Sequence, residues 1–133
     1  MIELEDLLRQ RENPHSPYIL HSFRISKSDA SVYMQVGRTP ADLPIVCTAA
    51  ARLPSGTNKN RIQIAMGGYG AYPAKVFVSD LTGQTDLCSS AAEAGRKAFS
   101  MAADAWASSE YRAEVASILV QRALERVEPC SSN

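Results

Sequence analysis

Apolar and polar positions alternate in twos over the first part of the chain, and after Ser89 the period lengthens to roughly 3.6 as alanines replace β-branched residues. Tyr18–Ser26 sets Ile19, Phe23 and Ile25 on one face, with His21 interrupting them, and Ser31–Val36 repeats the alternation through Val32, Met34 and Val36. Ile45–Leu53 is the longest such run and is largely apolar on both faces, which predicts a central strand. Arg61–Met66 aligns Ile62, Ile64 and Met66, and Ala74–Val78 predicts an edge strand or extended arm. The breaks have chemical causes. Gly37, Pro40 and Pro44 predict a loop, and the Gly-, Ser- and Asn-bearing stretch 54–60 suits a hairpin connection. Gly67, Gly68 and Gly70, followed by Pro73, end the strand that starts at Arg61 by permitting positive φ or close backbone approach.

In the helical part, Ser90 and Glu93 have capping-box spacing and predict a helix running to about Trp106, with Ala94, Ala98, Met101, Ala102 and Ala105 as its inner face. A second helix, Glu110–Glu128, follows a cap at Ser108 or Ser109 and buries Ala116, Val120, Ala123, Leu124 and Val127 before Pro129 stops it. Leu4, Leu7 and Leu8 mark a short helix near the start. The expected organisation is a short helix and linker over residues 1–17 and a single α+β domain over 18–133. That domain is an antiparallel sheet of three or four strands followed by C-terminal helices packed on one face.

Composition narrows the class without naming a reaction. With 133 residues, 45% hydrophobic and 21% charged, the chain needs no metal or disulfide staple to hold a core. No apolar run approaches the roughly 20 residues that cross a bilayer, so membrane insertion is not expected. Fourteen basic and fourteen acidic side chains cancel, which leaves no global field for nucleic acid. Cys47, Cys88 and Cys130 are widely separated and odd in number, and the N-terminus has no secretory pattern; reduced thiols in the cytoplasm are the expectation.

The search for self-contained chemistry returns little. His15 and His21 lack zinc-site spacing, and GGYG is neither a Walker loop nor a dinucleotide fingerprint. Cys47 reads as a small core residue, Tyr69 and Tyr72 as possible stacking surfaces, Arg38 and Asp42 as an ion pair within one loop, and Trp106 as a seal at a helix end.

Read in order, YMQVGRTPADLPIVCTAAARL, RIQIAMGGYGAYPAK, LTGQ and EYRAEVASILVQRAL resemble the C-terminal domain of the flavin-binding subunit of molybdenum hydroxylases, the family of carbon monoxide and xanthine dehydrogenases. The matching positions are Tyr33, Arg38, Asp42, Ile45 and Val46; Ala65, Gly67, Gly68 and Pro73; Gly83; and Tyr111, Arg112, Leu119, Arg122, Ala123 and Leu124. The resemblance implies an accessory domain beside a flavin site that supports electron transfer and is not catalytic alone. Met34, Arg38 and Asp42 would lie on its flavin-side loop. It implies FAD only in complex with a flavin domain, none in the isolated chain, and as partners that FAD-binding domain or molybdopterin and iron–sulfur subunits. Met34 stands where some relatives have lysine and Thr39 replaces a second arginine, which motivates the alternative of a stand-alone interaction module or homodimer that kept the fold without the redox function.

Overall fold

The computed structural model describes residues 2–10, 19–25, 27–28, 30–53, 61–79 and 84–127. After α1 (Leu4–Gln10) come four strands, β1 (Ala30–Val36), β2 (Val46–Arg52), β3 (Arg61–Gly67) and β4 (Ala74–Ser79), then α2 (Gln84–Ala98) and α3 (Ser109–Val127). The strands form one antiparallel sheet in sequence order, β1-β2-β3-β4. The register pairs Val36 with Val46, Cys47 with Gly67, and Met66 with Ala74. The end of β1, the start of β2, the end of β3 and the start of β4 therefore lie at one end of the sheet.

One face of this sheet is the core. Val46, Thr48 and Ala50 of β2 and Ile62, Ile64 and Met66 of β3 are buried together with Ala116, Val120, Ala123, Leu124 and Val127 of α3. Val32, Met34 and Val36 of β1 pack against the same cluster. The opposite face carries no helix from the C-terminal pair and presents Tyr33 and Ala49 to solvent. The α+β arrangement, the helices on one face, the central place of β2 and the edge place of β4 are as the periodicity predicts. The predicted hairpin connection 54–60 lies outside the described residues, as do His15, Gly83 and Cys130.

Three expectations are corrected. The run Tyr18–Ser26 forms no strand over its described residues 19–25, and Ile19 and Ile25 are 96% and 90% exposed. Alternation supplies a strand's faces but not a partner's backbone, and none of the described residues pairs with it. The first long helix starts at Gln84, so Ser90 and Glu93 lie inside it and form no cap; Glu93 accepts a hydrogen bond from Arg96 instead. That helix also ends at Ala98, well before Trp106. Its last residues shift to i→i−3 bonds, from the N–H groups of Phe99 and Ser100 to the carbonyls of Arg96 and Lys97, which tightens and stops the turn. Its buried face is consequently Ala91, Ala92 and Gly95, continued by Phe99 and Ala102, whereas Ala98, Met101 and Ala105 are exposed.

Small residues set the spacing of the helical layer. A Cβ on Gly95 would come within 3.1 Å of Val120 Cγ2 and 3.4 Å of the Ala116 carbonyl, so α2 and α3 approach with backbone nearly touching backbone. Ser108 caps α3 as predicted, its hydroxyl accepting from the Tyr111 N–H at 3.2 Å.

Candidate functional site

At the sheet end where the β1–β2 loop meets the glycine turn after β3 and the α2–α3 connection lies a cleft of about 430 Å³. Arg38, Asp42, Leu43, Pro44, Gly68, Asp104, Trp106 and Arg112 line it together with Ala41 and Ile45. The β1–β2 loop turns at Pro40, where the Asp42 N–H donates to the Thr39 carbonyl at 3.2 Å. Arg38 Nε then stands 3.8 Å from Asp42 Oδ2, which is the predicted pair. Arg38 also stacks over the Trp106 ring at 4.2 Å, a contact between two segments far apart in sequence.

Beneath this exposed pair is a buried one. Arg112, 1% exposed, sits in the first turns of α3 on the stripe that continues as Ala116, Val120, Ala123 and Val127. Its Nη1 donates to the Ile45 carbonyl and, at 3.0 Å, to the Gly68 carbonyl, and its Nη2 donates to Asp104 Oδ2 at 2.6 Å. The guanidinium also faces the Tyr69 ring at 5.3 Å. One cation thus ties together the β1–β2 loop, the turn after β3 and the α2–α3 connection. Arginine is suited to this because its planar fork presents several donors in fixed directions. Its Nε has no partner among the described residues.

Asp104 is the counterpart. Its Oδ1 accepts from the Trp106 and Ala107 N–H groups at 2.8 and 3.1 Å, which shapes the connection that carries Trp106. The Arg112 hydrogen bond and then the Trp106 backbone N–H hold its carboxyl below the usual range. Gly68 has φ +104°, and a Cβ there would lie 2.5 Å from the Ile45 carbonyl oxygen and 2.9 Å from that of Pro44. The turn therefore requires glycine for two separate reasons: the sign of φ and the approach of the β1–β2 loop. Gly70, at φ +78°, meets nothing within 4 Å, and Gly67 is an ordinary strand residue against Cys47 Sγ.

The structure brings Arg38 and Asp42 together at the cleft and places Met34 elsewhere. Met34 packs against the core and lines a separate groove with Leu119 and Arg126. Trp106 is not a core seal; it lies between the helices, 61% exposed, over Arg38. Cys47 is half-buried on the face away from the helices, near Tyr33, whose phenol is pushed up by burial and by Cys47. Tyr69 and Tyr72 each face an arginine, Arg112 and Arg9. Sequence reasoning overlooked Arg112 as the centre of the site. The available signal was a cation standing at a core position of an otherwise apolar helical stripe. Asp104 and its tie to Arg112 had no such signal.

Among the described residues no group of three or more His, Cys, Asp or Glu side chains is placed to hold a metal, and no helix is long and apolar enough to cross a membrane. Comparison with protein families matches residues 31–127 to the CO dehydrogenase flavoprotein C-terminal domain. Among curated proteins no sequence matches the chain.

Proposed function

The chain belongs to the CO dehydrogenase flavoprotein C-terminal domain family, and we propose that it works as the accessory C-terminal domain of the FAD subunit of a molybdenum-flavoenzyme, docked against the flavin-binding domain through the cleft end of its sheet. The family is the C-terminal part of the FAD subunit of CO dehydrogenase-type enzymes. The observation that carries the reading is the rim of this cleft: Leu43 at 90% exposed and Trp106 stand in solvent around Arg38, on a base locked by Arg112. Exposed tryptophan, arginine and large apolar side chains on a rigid base are the composition of a protein contact.

Among the described residues, those of the cleft have their polar groups engaged with one another. Arg112 spends its Nη donors on two carbonyls and Asp104, Arg38 is shared between Asp42 and Trp106, and the nearest helix start carries Glu110 in its first turn, which repels a diphosphate. The flavin domain would hold the cofactor, and this chain would wall one side of it with the loop bearing Arg38 and Asp42. Met34, in β1 ahead of that loop, keeps the strand seated on the core. In this role the chain supports electron passage from a molybdopterin subunit through iron–sulfur clusters to FAD and on to an acceptor, by fixing where the flavin sits.

The test is reconstitution. FAD titrated into the chain alone should show no tight binding by flavin fluorescence, and addition of the cognate flavin domain should give a stable ternary complex. Failure of the two proteins to associate would overturn the reading and leave a stand-alone module.

A further inference from the structure

The segment that carries Trp106 has no core to hold it. Between α2 and α3, Phe99 and Ala102 are buried, but residues 103–108 include no buried side chain. An exposed aromatic on such a stretch would ordinarily sample several positions, since it is burial that normally selects one. Here the selection is polar. The Asp104 N–H donates to the Ala107 carbonyl at 3.2 Å, and Asp104 Oδ1 accepts from the N–H groups of Trp106 and Ala107 at 2.8 and 3.1 Å. One residue thus closes the turn around Ala105 and Trp106 with both its backbone and its side chain. The other oxygen, Oδ2, accepts from Nη2 of Arg112 at 2.6 Å, and Arg112 is itself fixed by its bonds to the Ile45 and Gly68 carbonyls. The carboxylate is therefore a bracket between a buried guanidinium and the backbone that presents the indole. The indole in turn carries Arg38, whose guanidinium lies 4.2 Å from the ring centre.

We propose that Asp104 is a positioning residue: its two oxygens hold Trp106, and through it Arg38, in the arrangement that the partner protein meets at the cleft, so that Asp104 sets the strength of that contact by acting through Trp106. The consequence for the partner rests on the docking proposed above, whereas the cause lies within the chain itself. Both oxygens are required as acceptors at once, because Arg112 on one side and the two backbone amides on the other offer N–H groups alone. Asparagine has the same shape but a single acceptor oxygen. It can meet either Arg112 or the turn, and it sets donor against donor on the side it leaves. Affinity follows from this ordering, since a side chain already held in place costs less to immobilise on binding than one the partner must fix.

Trp106 is the single tryptophan of the chain, so its near-ultraviolet circular dichroism and fluorescence anisotropy read the turn directly. Asp104→Asn and Asp104→Glu should each lose the tryptophan bands and lower the anisotropy of the free chain, at a temperature where far-ultraviolet circular dichroism shows it folded. The glutamate keeps the charge beside Arg112 but lengthens the arm by a methylene, and so tests placement apart from the ion pair. Val120→Ala, which opens a cavity in the core against Gly95, should lower the melting temperature and leave both tryptophan signals in place. In calorimetric titration with the cognate flavin domain, Asp104→Asn should weaken the complex by about fivefold to tenfold, and should add little where Trp106→Ala is already present. Tryptophan signals unchanged in both Asp104 variants, or an Asp104→Asn loss of the same size in the Trp106→Ala background, would overturn the proposal. Loss of the tryptophan signals with no complex formed even by the wild type would sustain the positioning of Trp106 and sink the docking reading alone.

Discussion

At the scale of single residues, the site rests most on Gly68 and Asp104. Gly68→Ala brings a Cβ to 2.5 Å from the Ile45 carbonyl at φ +104°, so the loop that carries Arg38 must move. We expect a loss of roughly 3 kcal/mol or more in urea unfolding, since strained φ and a backbone clash add. Gly70→Ala, at positive φ but in open space, should cost only about 1 kcal/mol, and the pair of measurements separates the two causes. As Glu5 and Glu110 do, Asp104 contributes to the acid limb of stability. Its folded pKa lies below its unfolded one, so the stabilisation is complete above the unfolded value of about 4 and is lost as pH falls through the folded value. Asp104→Asn should flatten the dependence of melting temperature on pH below about 5, with its largest deficit near neutrality, as followed by circular dichroism. Thr48 is the opposite kind of residue: fully buried in β2, its hydroxyl has no partner among the described residues. Thr48→Val keeps the shape and removes that orphan, and should stabilise by about 1 kcal/mol in the same urea assay.

At the scale of elements, α2 and α3 can lie close because Gly95 and Ala116 leave no side chain between them. Gly95→Leu should force the helices apart and destabilise by about 2 kcal/mol or more, whereas a helix-propensity argument alone predicts a gain of about 1 kcal/mol; thermal unfolding decides the sign. How well each element could be read depended on whether its cause was local. α3 was legible because its cap at Ser108 and its stripe from Ala116 to Val127 are properties of one stretch. β2 and β3 were legible because alternation sorts Val46, Thr48 and Ala50, or Ile62, Ile64 and Met66, onto a single face. The ends of α2 were misread because Ser90 and Glu93 reproduce a cap's spacing within an uninterrupted helix. The stop at Ala98 has no glycine or proline to announce it, and the turn beyond it is held by Asp104, whose partner Arg112 is eight residues away. Residues 19–25 show the same limit in reverse, with a strand's pattern and no partner strand among the described residues.

At the scale of the whole molecule, a single guanidinium holds three segments at one end of the sheet, and the exposed rim around Arg38 and Trp106 is presented on that base. If this rim docks on a flavin domain, Arg38→Glu reverses the exposed cation stacked on Trp106 and should weaken the complex by about tenfold in calorimetric titration, with the chain's own melting unchanged. The amino-acid order alone determined the class: strands then helices, one buried sheet face, a glycine turn after β3, and a spread of matching positions that places the chain in its family. It also placed Arg38 and Asp42 together, because four residues across a proline turn bring them near whatever surrounds them. Only tertiary structure decided that Arg112 is the centre of the site and that Trp106 covers Arg38. Those facts are contacts between segments tens of residues apart, and periodicity records which face a side chain takes but not which distant backbone carbonyls wait there.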